Sequence, residues 1–148
     1  MQALTISQPW AWLIVHGWKR IENRSWPTNY RGPSLVHAGQ KRDEDAWKAM
    51  MSGRHPVTGR PILQRLHQQF ATDWKAKNIP CGGFVGTTEI VDCIHVDDVV
   101  ADAYKNEWFV GPYGFVLRGG QPMPFMPFPG RLKFFHVHDD IVRPALRQ

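Results

Sequence analysis

Apolar positions in the first 38 residues come in short clusters divided by turn formers. QALTI at 2–6 reads as a short strand, WAWLIVH at 10–16 is apolar on nearly every side, and SLVHA at 34–38 reads as another strand. Ser7 has the chemistry of an N-cap, Pro9 suits a first helical turn, and Gly17 suits the left-handed residue past a helix end. The segment 10–16 is therefore predicted as a short packing helix, with Trp10 and Trp12 in the core. Asp43, Glu44 and Asp45 place negative charge where DEDAWKAMM would begin a second helix, and apolar residues at 62, 63, 66, 70 and 74 form the stripe of a third. Between these two helices, SGRHPVTGRP at 52–61 carries two glycines, two prolines and exposed-type Arg54 and Arg60, and reads as a solvated loop. Beyond them, the β-branched run FVGTTEIVDCIHV at 84–96 predicts a long, bulged strand. YGFVLRG at 113–119 and RLKFFHV at 131–137 predict two more, separated by the proline-rich PMPFMPFPG.

Short strands, a small early helix and helices that cluster instead of alternating with strands indicate an α+β fold, with the strands in a small closed or half-open barrel. The organisation expected is one domain over 1–148, with a helical insertion at about 43–77.

Composition narrows the class. At 148 residues and 43% hydrophobic content the chain can bury a core without disulfides, and no apolar run nears the ~20 residues that span a bilayer. A membrane partner is not expected. MQALTISQPW lacks the basic and apolar parts of a secretory leader, so a cytoplasmic location is expected. Cys81 and Cys93, 12 apart, form no C-x-x-C pair and read as buried thiols. The formal charge of +5 is uneven: residues 1–80 hold 12 Lys/Arg against 5 Asp/Glu, and residues 81–148 hold 6 against 8. A basic face meeting an anion fits this asymmetry, nucleic acid being the commonest such partner.

The densest chemistry lies in GWKRIENRSW at 17–26. In an extended strand Glu22 and Arg24 share a face, while Lys19 belongs to the preceding turn and is free to point elsewhere. SQPWAWLIVHGWKRIENRSW followed by YRGPSLVHA resembles the signature of the ASCH (activating signal cointegrator homology) family, roughly Q-P-W-A, then G-x-K-x-(I/V)-E-x-R-x-W, then R-G-x-(I/L)-x-(I/V)-H-A. GGFVGTTEIVDCIHV, NEWFVGPYGFVL and PFPGRLKFF resemble later family segments, so the likeness spans about residues 3–137. The resemblance implies a PUA-like β-barrel and a role with RNA or another single-stranded nucleic acid. It also allows ribonuclease chemistry, or hydrolysis of an N4-acylated cytidine as in one small bacterial branch.

Residue chemistry weighs these. In the amidohydrolase branch the matching stretch reads G-x-K-x-x-T-x-R, with lysine and threonine catalytic; here Glu22 stands in place of the threonine, so the hydroxyl nucleophile is missing. Lys19 and Glu22 remain the candidate catalytic pair, Glu22 as a base and Lys19 as an oxyanion partner. Ribonuclease chemistry would draw on Lys19, Arg24, Arg31 and His37 for cations and a candidate base; for binding, Lys19, Arg24 and Arg31 would meet phosphates and Trp26, Tyr30 or Trp10 would stack on an unpaired base, with His37 counted in the same interface. Glu22 would order Arg24, or accept hydrogen bonds from a nucleobase edge such as the cytosine amino group. Tyr113 is a further candidate for the same pocket. No metal-ligand set and no cofactor motif is recognisable, and His136 and His138 read as surface or packed histidines. A modified nucleoside is the alternative small partner.

Overall fold

The computed structural model describes residues 1–98 and 106–147. In chain order its elements are β1 (Gln2–Ile6), α1 (Trp10–Val15), β2 (Ile21–Arg24), β3 (Gly32–Ala38), α2 (Glu44–Met51), α3 (Gln64–Lys75), β4 (Gly83–His95), β5 (Tyr113–Pro127), β6 (Phe134–His136) and α4 (Asp139–Leu146). The strands make one mixed sheet of six in the order β2-β5-β4-β3-β1-β6. β1 and β3 run parallel; the other neighbours are antiparallel. The α+β class is as anticipated, and the sheet is barrel-like without closing, since β2 and β6 are both edges. Register shifts in β4 between Phe84 and Gly86, Thr87 and Glu89, and Ile90 and Asp92 bend its long pairing with β5.

Alternation along the strands divides the core. Leu4, Ile6 and Val36 pack against Ile14, Val15 and Phe115 on one sheet face, under α1. Ala3 and Leu35, on the other face, join Phe84, Phe135 and Val142, the last from α4. A further cluster joins Trp12 and Leu13 of α1 to Trp47 and Met50 of α2 and Leu66 and Phe70 of α3. The near-uniform apolarity of α1 follows: one side meets the sheet and the other meets the helices of the 43–77 segment. The approach is so close that a Cβ on Gly120 would run into the Ile14 carbonyl, and one on Gly86 into Val15 and the Gln121 carbonyl.

Four expectations need correction. Ser7 does not cap α1; Pro9 is the N-cap residue, and the Gln8 side chain takes the Trp12 N–H at 2.9 Å, satisfying an orphan donor from one residue nearer. The proline-rich stretch does not separate two strands, because β5 continues through it to Pro127. Among the described residues no strand pairs with that half of β5 on its second side, and proline is tolerated where its missing N–H faces no partner. The strand expected at 131–137 contracts to three residues, and DDIVRPAL forms α4, its first turn carrying Asp139 and Asp140 at the positive end of the helix. Cys81 and Cys93 are free thiols but only half-buried.

Candidate nucleic-acid interface

Gly17, at φ +78°, turns the chain back after α1, and the N–H groups of Trp18 and Lys19 both reach the Leu13 carbonyl, at 2.9 and 3.1 Å. This fold-back aims Lys19 inward, toward the face of β2 that carries Glu22 and Arg24. The freedom allowed to Lys19 in the turn is thus not used. Its ammonium donates to Glu22 Oε1 at 2.9 Å and to the Ile21 carbonyl. Arg24 Nε donates to Glu22 Oε2 at 3.1 Å, and Arg24 Nη2 donates to the Thr5 carbonyl at 2.6 Å. The Lys19 side chain is 1% exposed and that of Glu22 10%. Two cations thus clasp one carboxylate from either side, leaving the cluster with one formal positive charge in a place where an unpaired charge would be costly.

These three side chains form the floor of a cleft of about 780 Å³. Trp10 and Trp26 line it and are both half-buried. The Lys19 ammonium lies 5.4 Å from the Trp10 ring centre, and the Trp10 indole N–H is held by Asp43 Oδ2 at 2.9 Å. Asp43 also caps α2 through the Ala46 N–H, so the helical segment fixes one wall of the cleft. Trp26 is wedged edge-on against Phe115 and Phe134, with Arg24 at 5.9 Å and Lys133 at 5.5 Å from its ring centre.

The loop at 52–61 supplies the outer wall through Pro56 and Val57. It is a folded unit: His55 is 3% exposed, lies 4.0 Å centre to centre from the Trp108 ring, and its Nδ1 accepts from the N–H groups of Val57 and Thr58. Nδ1 as acceptor places the ring proton on Nε2, 3.5 Å from a Glu107 carboxylate oxygen. Burial pushes the His55 pKa below its usual value, and Glu107 pulls weakly the other way. Arg54 and Arg60 remain exposed. Beside this wall the Asn23 carboxamide receives the Val110 and Gly111 N–H groups at 2.8 and 2.9 Å and donates to the Trp108 carbonyl at 2.9 Å, which sets Val110 at the mouth.

Of the residues singled out in the sequence, Lys19, Glu22, Arg24 and Trp26 meet at the cleft, and Tyr30, Arg31, His37 and Tyr113 do not line it. Tyr30 packs on Phe134 and donates its hydroxyl to the Pro33 carbonyl. Arg31 bonds to the Thr28 and Tyr30 carbonyls and lies 3.7 Å from Asp92. His37 is 1% exposed, with Nε2 on the Phe128 carbonyl and Nδ1 on the Thr5 hydroxyl, so both ring nitrogens are engaged. Tyr113 lies against His95. Asn23, which lines the cleft, His55, which supports its wall, and Lys133, which lies over Trp26, were not legible in the sequence, because each acts through a long-range contact or a loop without periodicity. Among the described residues no group of three or more His, Cys, Asp or Glu side chains is arranged to hold a metal ion, and no helix is long and apolar enough to cross a membrane.

A family model for the ASCH domain matches residues 4–118, a span that holds the whole Lys19-x-x-Glu22-x-Arg24 floor. The chain belongs to the ASCH family. Over 91 residues, 62% of its length, it is 30% identical to human activating signal cointegrator 1 and 31% to the mouse protein. That match covers 14% of each of these much longer relatives. The crystal structure of an ASCH protein from Zymomonas mobilis superposes with a TM-score of 0.56 at 13% identity, covering 96% of this chain and 90% of that one; a point variant of it gives 0.57. The shared feature at that identity is the fold, a PUA-like ASCH architecture.

Proposed function

We propose that this ASCH protein binds RNA or another single-stranded nucleic acid by taking one unpaired base into the cleft between Trp10 and Trp26. One observation carries the reading: a buried Lys19–Glu22–Arg24 cluster with net positive charge forms the floor of an open cleft walled by two half-buried indoles. Cations attract the phosphates of the strand, indole faces stack on bases, and a carboxylate among the cations suits a base edge better than a phosphate. The RNA-binding role suggested for the family points the same way, as does the excess of Lys and Arg in residues 1–80. Hydrolysis in the manner of the amidohydrolase branch would need a hydroxyl nucleophile bonded to this cluster. The hydrogen bonds of Lys19 and Glu22 among the described residues run instead to each other, to Arg24 and to the Ile21 carbonyl.

Fluorescence anisotropy with a labelled RNA decamer, repeated across salt concentrations, tests the reading. Affinity should fall as salt rises, with a log–log slope of about −0.7 for each phosphate neutralised, and Lys19→Ala should weaken it. A flat salt response would overturn the proposal. Turnover of RNA or N4-acetylcytidine by the wild type, abolished in Lys19→Ala, would replace binding with catalysis at the same cleft.

A further inference from the structure

We infer that the base taken into this cleft is guanine and that Glu22 selects it; the inference rests on the binding reading above. The floor presents its polar groups in a fixed order. The Lys19 ammonium stands beside Glu22 Oε1 at 2.9 Å, and the Arg24 guanidinium stands beside Oε2 at 3.0 Å. Lys19 spends two of its three N–H donors, on Oε1 and the Ile21 carbonyl. Arg24 spends Nε and one Nη2 bond. Arg24 keeps Nη1 unspent among the described residues, whereas the Lys19 ammonium, on a side chain 1% exposed, offers no donor to the cleft; each carboxylate oxygen keeps acceptor capacity. The floor thus offers an incoming base two adjacent acceptors flanked by one guanidinium.

The four bases differ in how they meet that order. Guanine presents O6 as an acceptor, then N1–H and N2–H as two adjacent donors, then N3 as an acceptor. Its adjacent N1–H and N2–H groups complement the two acceptors and fall together on one carboxylate. Cytosine offers its amino donor beside the N3 lone pair, and adenine offers its amino donor beside N1. Either would set a ring nitrogen lone pair against a carboxylate oxygen. Uracil carries one N–H between two carbonyl oxygens, so it offers a single donor and turns acceptors toward both ends of the carboxylate. Glu22 is the decisive member because it is held: with its side chain 10% exposed and both oxygens clasped, it cannot rotate to suit another edge. The cytosine amino group, suggested by Glu22 from the sequence, satisfies only one of the two acceptors.

The test uses uridine-rich RNA decamers that differ only in a single central guanosine, inosine, adenosine or cytidine, with anisotropy read at several salt concentrations. Guanosine should bind about tenfold or more tightly than cytidine or adenosine, the discrimination expected of one good bidentate contact. Inosine keeps N1–H and lacks the 2-amino group, so it should fall between. Glu22→Gln exchanges one acceptor for a donor; it should erase the preference for guanosine while the salt slope stays. Should that variant fail to fold by circular dichroism, the inosine arm decides, since it alters only the ligand. Equal affinity for all central bases, or a preference for cytidine, with the salt slope intact overturns the guanine inference and leaves the binding reading standing. Absence of salt-dependent affinity for every decamer overturns both. A guanosine preference that survives Glu22→Gln removes Glu22 from its assigned role.

Discussion

Glu22 is the residue on which the local energetics turn. Its carboxylate is held by Lys19 and Arg24, and the Lys19 side chain is almost fully buried. Removing only the anion strands an ammonium away from water, so Glu22→Ala should cost about 3–5 kcal/mol of stability, read as a lowered urea midpoint. Replacing both members, as Lys19→Met with Glu22→Leu, should recover most of that deficit, because the desolvation of the two charges disappears together with their attraction. The pair would then contribute more to recognition than to stability, which the double variant tests by folding well while failing to bind. The sequence revealed the Glu22–Arg24 face through the two-residue period of a strand. It did not reveal the direction of Lys19, which depends on the bend at Gly17 and on two hydrogen bonds to one carbonyl of α1.

Among the elements, the 52–61 loop couples the helical segment to the cleft through His55. The native loop needs Nδ1 unprotonated, since Nδ1 accepts two backbone N–H groups. Burial lowers the folded pKa below the 6.5 of the free side chain, so the unfolded chain takes up its proton first as pH falls. The stabilisation is fully present above pH 6.5 and fades as pH drops toward the folded pKa. His16, half-buried beside Trp12 and 3.6 Å from Asp73, shifts in the same direction for the same leading reason. Thermal melts on either side of that pH, from about 7.5 down to about 5, should show falling stability, and His55→Gln should show a shallower fall. Periodicity made most elements legible: α2 and α3, the long β4 with its bulges, and the early strands all follow from apolar spacing and end signals. Two failures share one cause. A proline-rich run reads as a break unless one knows that half of β5 lies at an unpaired flank, and DDIVRPAL drew no expectation because its helix depends on Val142 being buried against the sheet.

Across the molecule the cleft is assembled from distant parts of the chain: β2 and the turn before it give the floor, α1, the loop after α2 and Val110 give walls, and Lys133 lies over the Trp26 ring. Motif spacing captures the floor and Trp10 of α1 but neither the loop after α2 nor Val110, which is why the candidate site was only partly legible. The exposed Arg54 and Arg60 stand on the loop that forms the cleft wall, so a bound strand leaving the cleft on that side would cross them. Arg54→Gln with Arg60→Gln should then lower the magnitude of the salt slope by about 0.7 for each phosphate that is no longer neutralised, without altering base preference. The flank of β5 carries a different consequence. Pro122 and Pro124, two residues apart, project toward the same side of the strand and deprive it of two N–H groups there. A second copy of the chain approaching that flank in solution meets an interrupted donor row, so strand addition there is resisted and sheet extension is left to the short edge strands β2 and β6.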